Sequence, residues 1–218
     1  MILNQITTKC LHKSANNLIR KKIAVQGATR CLSFSYAGPR SLDEILKLDL
    51  IADKSSEEVS AMWEAYHANK ENVFGKVLGG NDGKLILERA KTCSFFIQPL
   101  FRDDGFIMLL SQFQEPCHFM MASLEDYKND PSKTQPVLTF SVFNDLAERL
   151  DLSMVRCDVI SKVVEDAEGV KILDQILNSY AIEQDFHAVH TFNHEPGSFD
   201  VDDYIAQRSR MWKEQDLK

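Results

Sequence analysis

Two apolar runs, Phe95–Phe101 and Phe106–Phe113, flank the polar tetrapeptide Arg102-Asp103-Asp104-Gly105. Both runs are rich in strand formers, and Asp-Gly supplies the positive φ that a tight hairpin needs. Because the runs are almost continuously apolar, the pattern predicts a buried hairpin, covered on both faces, at the centre of a sheet. Upstream, Ser41-Leu-Asp-Glu44 and Ser55-Ser-Glu-Glu58 have the spacing of capping boxes and open two helices. In the second, Val59, Met62, Trp63 and Tyr66 form one helical stripe with His67 at its edge. Val73, Phe74, Val77 and Leu78 continue that helical spacing. Gly79-Gly80-Asn81-Asp82-Gly83 reads as its stop, with a short helix over residues 85–91 before the hairpin.

Beyond the hairpin, residues 116–121, 136–142 and 152–160 read as strands, and residues 123–128 and 144–150 as short helices. A longer helix spans 165–180, with Ala167, Val170, Leu173, Ile176, Leu177 and Tyr180 as its apolar stripe. Residues 186–192 alternate so that Phe186, Ala188, His190 and Phe192 share a face, which predicts a last strand; a terminal helix follows over 199–211. No internal repeat interrupts this order. The pattern predicts one α+β domain with a mostly antiparallel or mixed sheet flanked by helices.

Charge divides the chain. Residues 1–42 hold seven basic residues and no acid, and the first carboxylate is Asp43. That composition, rich in Ser, Thr and Asn, fits an organellar transit peptide over residues 1–32, with Arg30-Cys31-Leu32-Ser33 resembling a mitochondrial cleavage site. Residues 33–40 then read as a linker and 41–218 as the folded domain. Without residues 1–32, 19 basic residues face 32 acidic ones, a net charge of −13. So acidic a body repels nucleic acid. No apolar run approaches the ~20 residues of a membrane helix, so no membrane insertion is expected.

Candidate chemistry is sparse. Cys10, Cys31, Cys93, Cys117 and Cys157 stand singly, which argues against a disulfide framework and a zinc site. Cys117 precedes His118, but on a strand the two point to opposite faces. His187, His190 and His194 invite a metal reading; on a strand His187 and His190 would also diverge, so no metal is expected. Asp200, Asp202 and Asp203 most simply start the terminal helix. Trp63 and His67, and Phe101 with Arg102 at the hairpin end, are candidates for contact with a protein partner. The alternative is that Trp63 and Phe101 pack inward and that Arg102 pairs with Asp103 or Asp104.

Several ordered motifs carry a resemblance: Trp63-Glu-Ala-Tyr-His67, Phe96-Ile-Gln-Pro-Leu-Phe-Arg102, Gly105, Gln112-Phe113, His118-Phe119, Leu124 to Tyr127, Met154-Val-Arg156, and Phe192-Asn193 with Pro196 and Phe199-Asp200. Together they resemble the mitochondrial ATP synthase assembly factor 1 family, chaperones of the F1-ATPase β subunit, over residues 39 to 205. The sequence departs from that pattern at Phe101, Met120 and Cys157. The resemblance implies a matrix protein that binds the unassembled F1-ATPase β subunit before it joins α and prevents its aggregation. It implies no enzymatic activity and no cofactor, and the free chain is expected to be a monomer. Two other classes fit the residues alone: a small mitochondrial matrix enzyme with a site not recognisable from sequence, or a stable structural subunit of a matrix complex.

Overall fold

The computed structural model describes Gly38, residues 40–103 and residues 105–215. The expected presequence, residues 1–32, lies outside the described residues, as does most of the 33–40 linker. Both capping boxes form. Ser41 and Glu44 exchange side-chain and backbone bonds at the head of α1 (Leu42–Leu46), and Ser55 and Glu58 do so at the head of α2 (Ser56–His67). A 3-10 turn, Leu48–Ile51, joins them. The remaining elements are β1 (Val73–Gly79), α3 (Gly80–Thr92), β2 (Phe95–Arg102), β3 (Gly105–Gln114), β4 (His118–Ser123), α4 (Leu124–Asn129), β5 (Leu138–Phe143), α5 (Ala147–Leu150), β6 (Leu152–Val159), α6 (Asp166–Ala181), α7 (Glu183–His194) and α8 (Val201–Gln215).

The six strands form one sheet in the order β1-β6-β5-β4-β3-β2, antiparallel at every pairing. β2 to β6 run as a meander, while β1 crosses to the far side and pairs with β6. Gly105 takes φ 151° where the hairpin turns. The hairpin thus forms as expected but lies at an edge. Its apolar outer strand is explained by α7 and α8, which wrap that edge: Phe96 packs edge-on to Phe192, Phe199 and Tyr204.

One face of the sheet carries the main core. Phe119 stacks on Phe140 and meets Tyr180 of α6, and Ile172, Leu173, Ile176 and Leu177 of α6 are buried with them. At the β1/β6/β5 end of the opposite face, Leu42, Ile51, Val59 and Trp63 pack on Phe143, Leu146 and Met154 as a second cluster. Burying each such side chain contributes about 1.5–3 kcal/mol.

Three expectations are corrected. Residues 73–79 are a strand, because Val73, Phe74, Val77 and Leu78 fit either period and pairing with β6 decides between them. Gly80 does not stop a helix but starts α3, where its N–H donates to Asp151 O (2.9 Å) and its missing side chain admits Ala147 and Asp151. Residues 186–192 lie within α7, whose buried residue is Val189. The stripe of α6 is also rotated: Ala167 and Val170 are exposed, and Gly169 faces Phe74 and Val159 instead.

Candidate functional site

The motifs that stand far apart in sequence meet on the sheet face opposite the main core. His118 on β4 pairs in register with Ser141, Ser141 with Arg156, and Arg156 with Gly75, one row across four strands. In the next row Gln112 pairs with Met120, Met120 with Thr139, and Thr139 with Asp158. Strand alternation places all of these side chains on one face. His118, Gln112, Thr139 and Ser141 are buried.

α2 closes over the end of the first row. The Trp63 indole donates to Val155 O (3.2 Å), and His67 Nδ1 bonds Trp63 O (2.8 Å) with the two rings 4.4 Å apart. Gly75 makes this approach possible: a Cβ there would sit 2.4 Å from His67 Nδ1 and 2.7 Å from Trp63 Nε1. Arg156 bonds the Asp158 carboxylate through Nε and Nη2 (3.0 and 2.7 Å), which raises the guanidinium above its ordinary value. Lys70 lies over the Tyr66 ring (3.3 Å), and its ammonium holds the phenol below the usual range.

The two histidines here are neutral at physiological pH. His118 Nδ1 meets Ser141 Oγ (2.9 Å), and burial pushes its pKa down to about 4. Burial lowers His67 as well. His67 Nε2, Gln112 Oε1 and His118 Nε2 are buried with no hydrogen-bond partner among the described residues. These groups are nearly as buried as Trp63, so they form an internal polar row and not a surface open to a partner. Burial pushes the Cys117 thiol up to about 11, raises Cys93 and places Cys157 well above its ordinary value, so these thiols stay protonated.

The candidate partner residues fall into two pairs. Trp63 is 0% exposed and His67 only 5%, so neither ring is available to a partner in this arrangement; Met62 and Tyr66, read as part of the same apolar stripe, are the exposed large apolar residues of α2. Phe101 is half-buried against Phe106 and Trp212, with centroids at 5.9 and 6.0 Å. Arg102 makes no bond to Asp103 among the described residues, and Asp104 lies outside them. Its Nε and Nη2 reach Glu168 (both 2.8 Å) and Nη2 also reaches Val163 O (2.6 Å), tying the hairpin to the start of α6.

The metal argument changes its basis. On α7, His187, His190 and His194 share a side rather than diverging, and the His190 and His194 rings lie 4.6 Å apart. Even so, no group of three or more His, Cys, Asp or Glu among the described residues is placed to hold a metal ion. Asp200 Oδ1 accepts from the N–H groups of Asp202 and Asp203 (3.0 Å each) and so starts α8. Ser141 and Asp158 were missed by sequence reasoning. The signal available was polar residues at two-residue spacing inside apolar strands: Thr139 with Ser141, and Arg156 with Asp158.

Residues 7–205 match a family described as ATP11 protein, a span that reaches back into the basic N-terminal stretch. Three similar proteins carry the name ATP synthase mitochondrial F1 complex assembly factor 1. That of Mus musculus is 23% identical over 213 residues, covering 96% of this chain and 62% of its own length. That of Danio rerio is 25% identical over 167 residues (75% and 54%), and that of Homo sapiens 24% over 186 residues (84% and 56%). The chain therefore spans a little over half the length of these relatives.

Proposed function

The chain belongs to the ATP11 protein family, and from that membership we propose that it is a non-enzymatic chaperone of mitochondrial F1-ATPase assembly. Its client is the unassembled F1 β subunit, which it keeps from aggregating until the α subunit takes over the same surface. The observation that carries this reading is the family match over residues 7–205, supported by relatives named as F1 complex assembly factors. Neutral imidazoles, an arginine already held by an aspartate, and thiols kept protonated support the non-enzymatic part of this reading. No helix among the described residues is long and apolar enough to cross a membrane.

We place the protein in the mitochondrial matrix, delivered by residues 1–32. N-terminal sequencing of protein recovered from mitochondria is expected to start near Ser33, and an intact Met1 removes the cleavage claim. Phe101 and Arg102 stand as candidate contacts at the hairpin end, where part of each side chain reaches solvent. The central test is aggregation of isolated F1 β subunit followed by light scattering. Substoichiometric to equimolar chaperone is expected to suppress it and to be recovered with β but not with finished enzyme. A chain that neither suppresses aggregation nor captures β is not its chaperone.

A further inference from the structure

The two edges of the sheet are finished in opposite ways. Along β2 the ladder to β3 uses the even-numbered residues, as Phe113 N–H donating to Ser94 O shows. The odd-numbered ones turn their backbone outward. There Asn193 of α7 imitates a neighbouring strand: Oδ1 accepts from Phe95 N–H (3.3 Å) and Nδ2 donates to Phe95 O (2.6 Å). The Tyr204 hydroxyl donates to Ile97 O (2.9 Å), Pro99 has no N–H, and Pro99 O accepts from Gln98 Nε2 (3.1 Å). That edge is plugged from Phe95 to Pro99 except at the Ile97 N–H, and no described residue bonds the outward groups of Phe101 at the hairpin end.

Along β1 the ladder to β6 also uses even-numbered residues: Val159 N–H donates to Asn72 O and Gly80 N–H to Asp151 O. Val73, Gly75 and Val77 therefore point their N–H and C=O groups away from the sheet. No described residue bonds any of these six groups, and residues 73–78 are all part-exposed. A row of free alternating donors and acceptors is the template for one kind of occupant, an extended polypeptide. Natural proteins blunt such an edge with lysine. The lysine is present, but Lys76 is folded onto Asp174 of α6.

The rim selects among extended chains. On α6, Asp166 accepts from Asn72 N–H and Asp174 holds Lys76, and Val170 lies between them on the same helical stripe, 41% exposed. Two carboxylates, Asp166 and Asp174, against the one lysine Lys76 leave the α6 side of the rim acidic, with Val170 as an apolar foothold. A second copy of this chain would bring the same acidic rim against itself, which disfavours β1–β1 pairing.

We propose that β1 is the client-docking edge, onto which an extended, basic-flanked segment of the F1 β subunit adds as a seventh strand. This rests on the client reading above. The test is hydrogen exchange of the full chain, alone and with isolated F1 β subunit, read by mass spectrometry, beside the aggregation assay. Binding is expected to slow exchange in residues 72–79 at least tenfold and to leave the Asn193-bonded start of β2 unchanged. A Val73→Pro/Val77→Pro variant removes two outward N–H groups and no ladder bond; with an unchanged melting temperature it is expected to weaken binding about tenfold or more. Suppressed aggregation with no protection at 72–79, or with protection at residues 101–106 instead, overturns the docking edge and leaves the client reading standing. Absence of any binding removes both. Protection of 72–79 in the protein alone, rising with concentration alongside a dimer mass, assigns the edge to a second copy and overturns the proposal.

Discussion

Acidification from pH 7 to 4 is expected to cost the domain about 3 kcal/mol through His118 alone. The ring is buried, its Nδ1 meets Ser141 Oγ, and its Nε2 has no partner. A proton there creates a charge in a desolvated site with nothing to receive the new N–H. Unfolded, the imidazole titrates near its ordinary 6.5; folded, burial holds it to about 4, against a smaller opposing pull from Asp158. Each tenfold difference in proton affinity is about 1.4 kcal/mol, which gives the figure above. The folded state binds this proton less well than the unfolded chain. The contribution is therefore fully present above pH 6.5, declines as pH falls, and is gone near 4. His67, lowered by the same cause, acts in the same direction.

The assay is urea unfolding at pH 7, 5.5 and 4.5 for the parent and for His118→Gln. The glutamine amide can still bond Ser141 but does not titrate, and carboxylate titration is common to both proteins. Stability of the variant relative to parent should improve by about 2–3 kcal/mol on going to pH 4.5. Parallel pH dependences, or a ring whose nuclear magnetic resonance signals titrate near 6.5, would refute the reasoning.

Other expectations are as direct. Phe96→Ala removes a fully buried ring that meets Phe192, Phe199 and Tyr204, and should lower unfolding free energy by about 3–5 kcal/mol; an unchanged urea midpoint would mean that β2 is not core. Gly75→Ala pushes a methyl against His67 and Trp63, so α2 must lift, at about 1–3 kcal/mol and with red-shifted Trp63 emission; unshifted emission contradicts the close approach. Arg208 is fully buried, bonds Ser179 Oγ (3.0 Å) and lies 3.8 Å from Asp185. Arg208→Ala should cost about 3–5 kcal/mol and Arg208→Met clearly less, because an apolar side chain of similar length refills the space; equal losses would show that the guanidinium's bonds, and not its volume, carry the stability.

Signals that are local in sequence were legible. Ser41 with Glu44, and Ser55 with Glu58, announce helix starts through reciprocal bonds within four residues, and Asp-Gly announces a hairpin. What failed depends on distant partners. Val73, Phe74, Val77 and Leu78 become a strand because β6, far downstream, supplies its ladder. α7 starts at Ile182 without a side-chain cap, so its first turn carries no sequence flag, and Phe186, Ala188, His190 and Phe192 imitate a two-residue period. The hairpin looked central because α7 and α8 bury an edge strand as thoroughly as a second sheet neighbour would. The same limit applies to the site. His67, Gln112, His118 and Arg156 were visible as motif residues, but only strand register shows that Gln112, His118 and Arg156 share a face, and only the packing of α2 over Gly75 brings His67 to it.

The placement of β1 also sets an order of events in time. β2 to β6 each pair with the strand before or after them, so the meander can assemble as soon as its residues are available. Val73 must wait for Asp158, about eighty residues downstream, before it has any ladder at all. Closing that long loop carries an entropic cost that the short hairpins do not. In a chain that is made, or threaded through a pore, from its N-terminus, β1 and the α2 helix that leans on it emerge first and settle last. Pulse-labelled exchange during refolding should find amides of β3 to β5 protected before those of β1, and simultaneous protection would remove this sequence. The strand with the latest rendezvous is thus the one whose outer backbone groups no other described residue bonds.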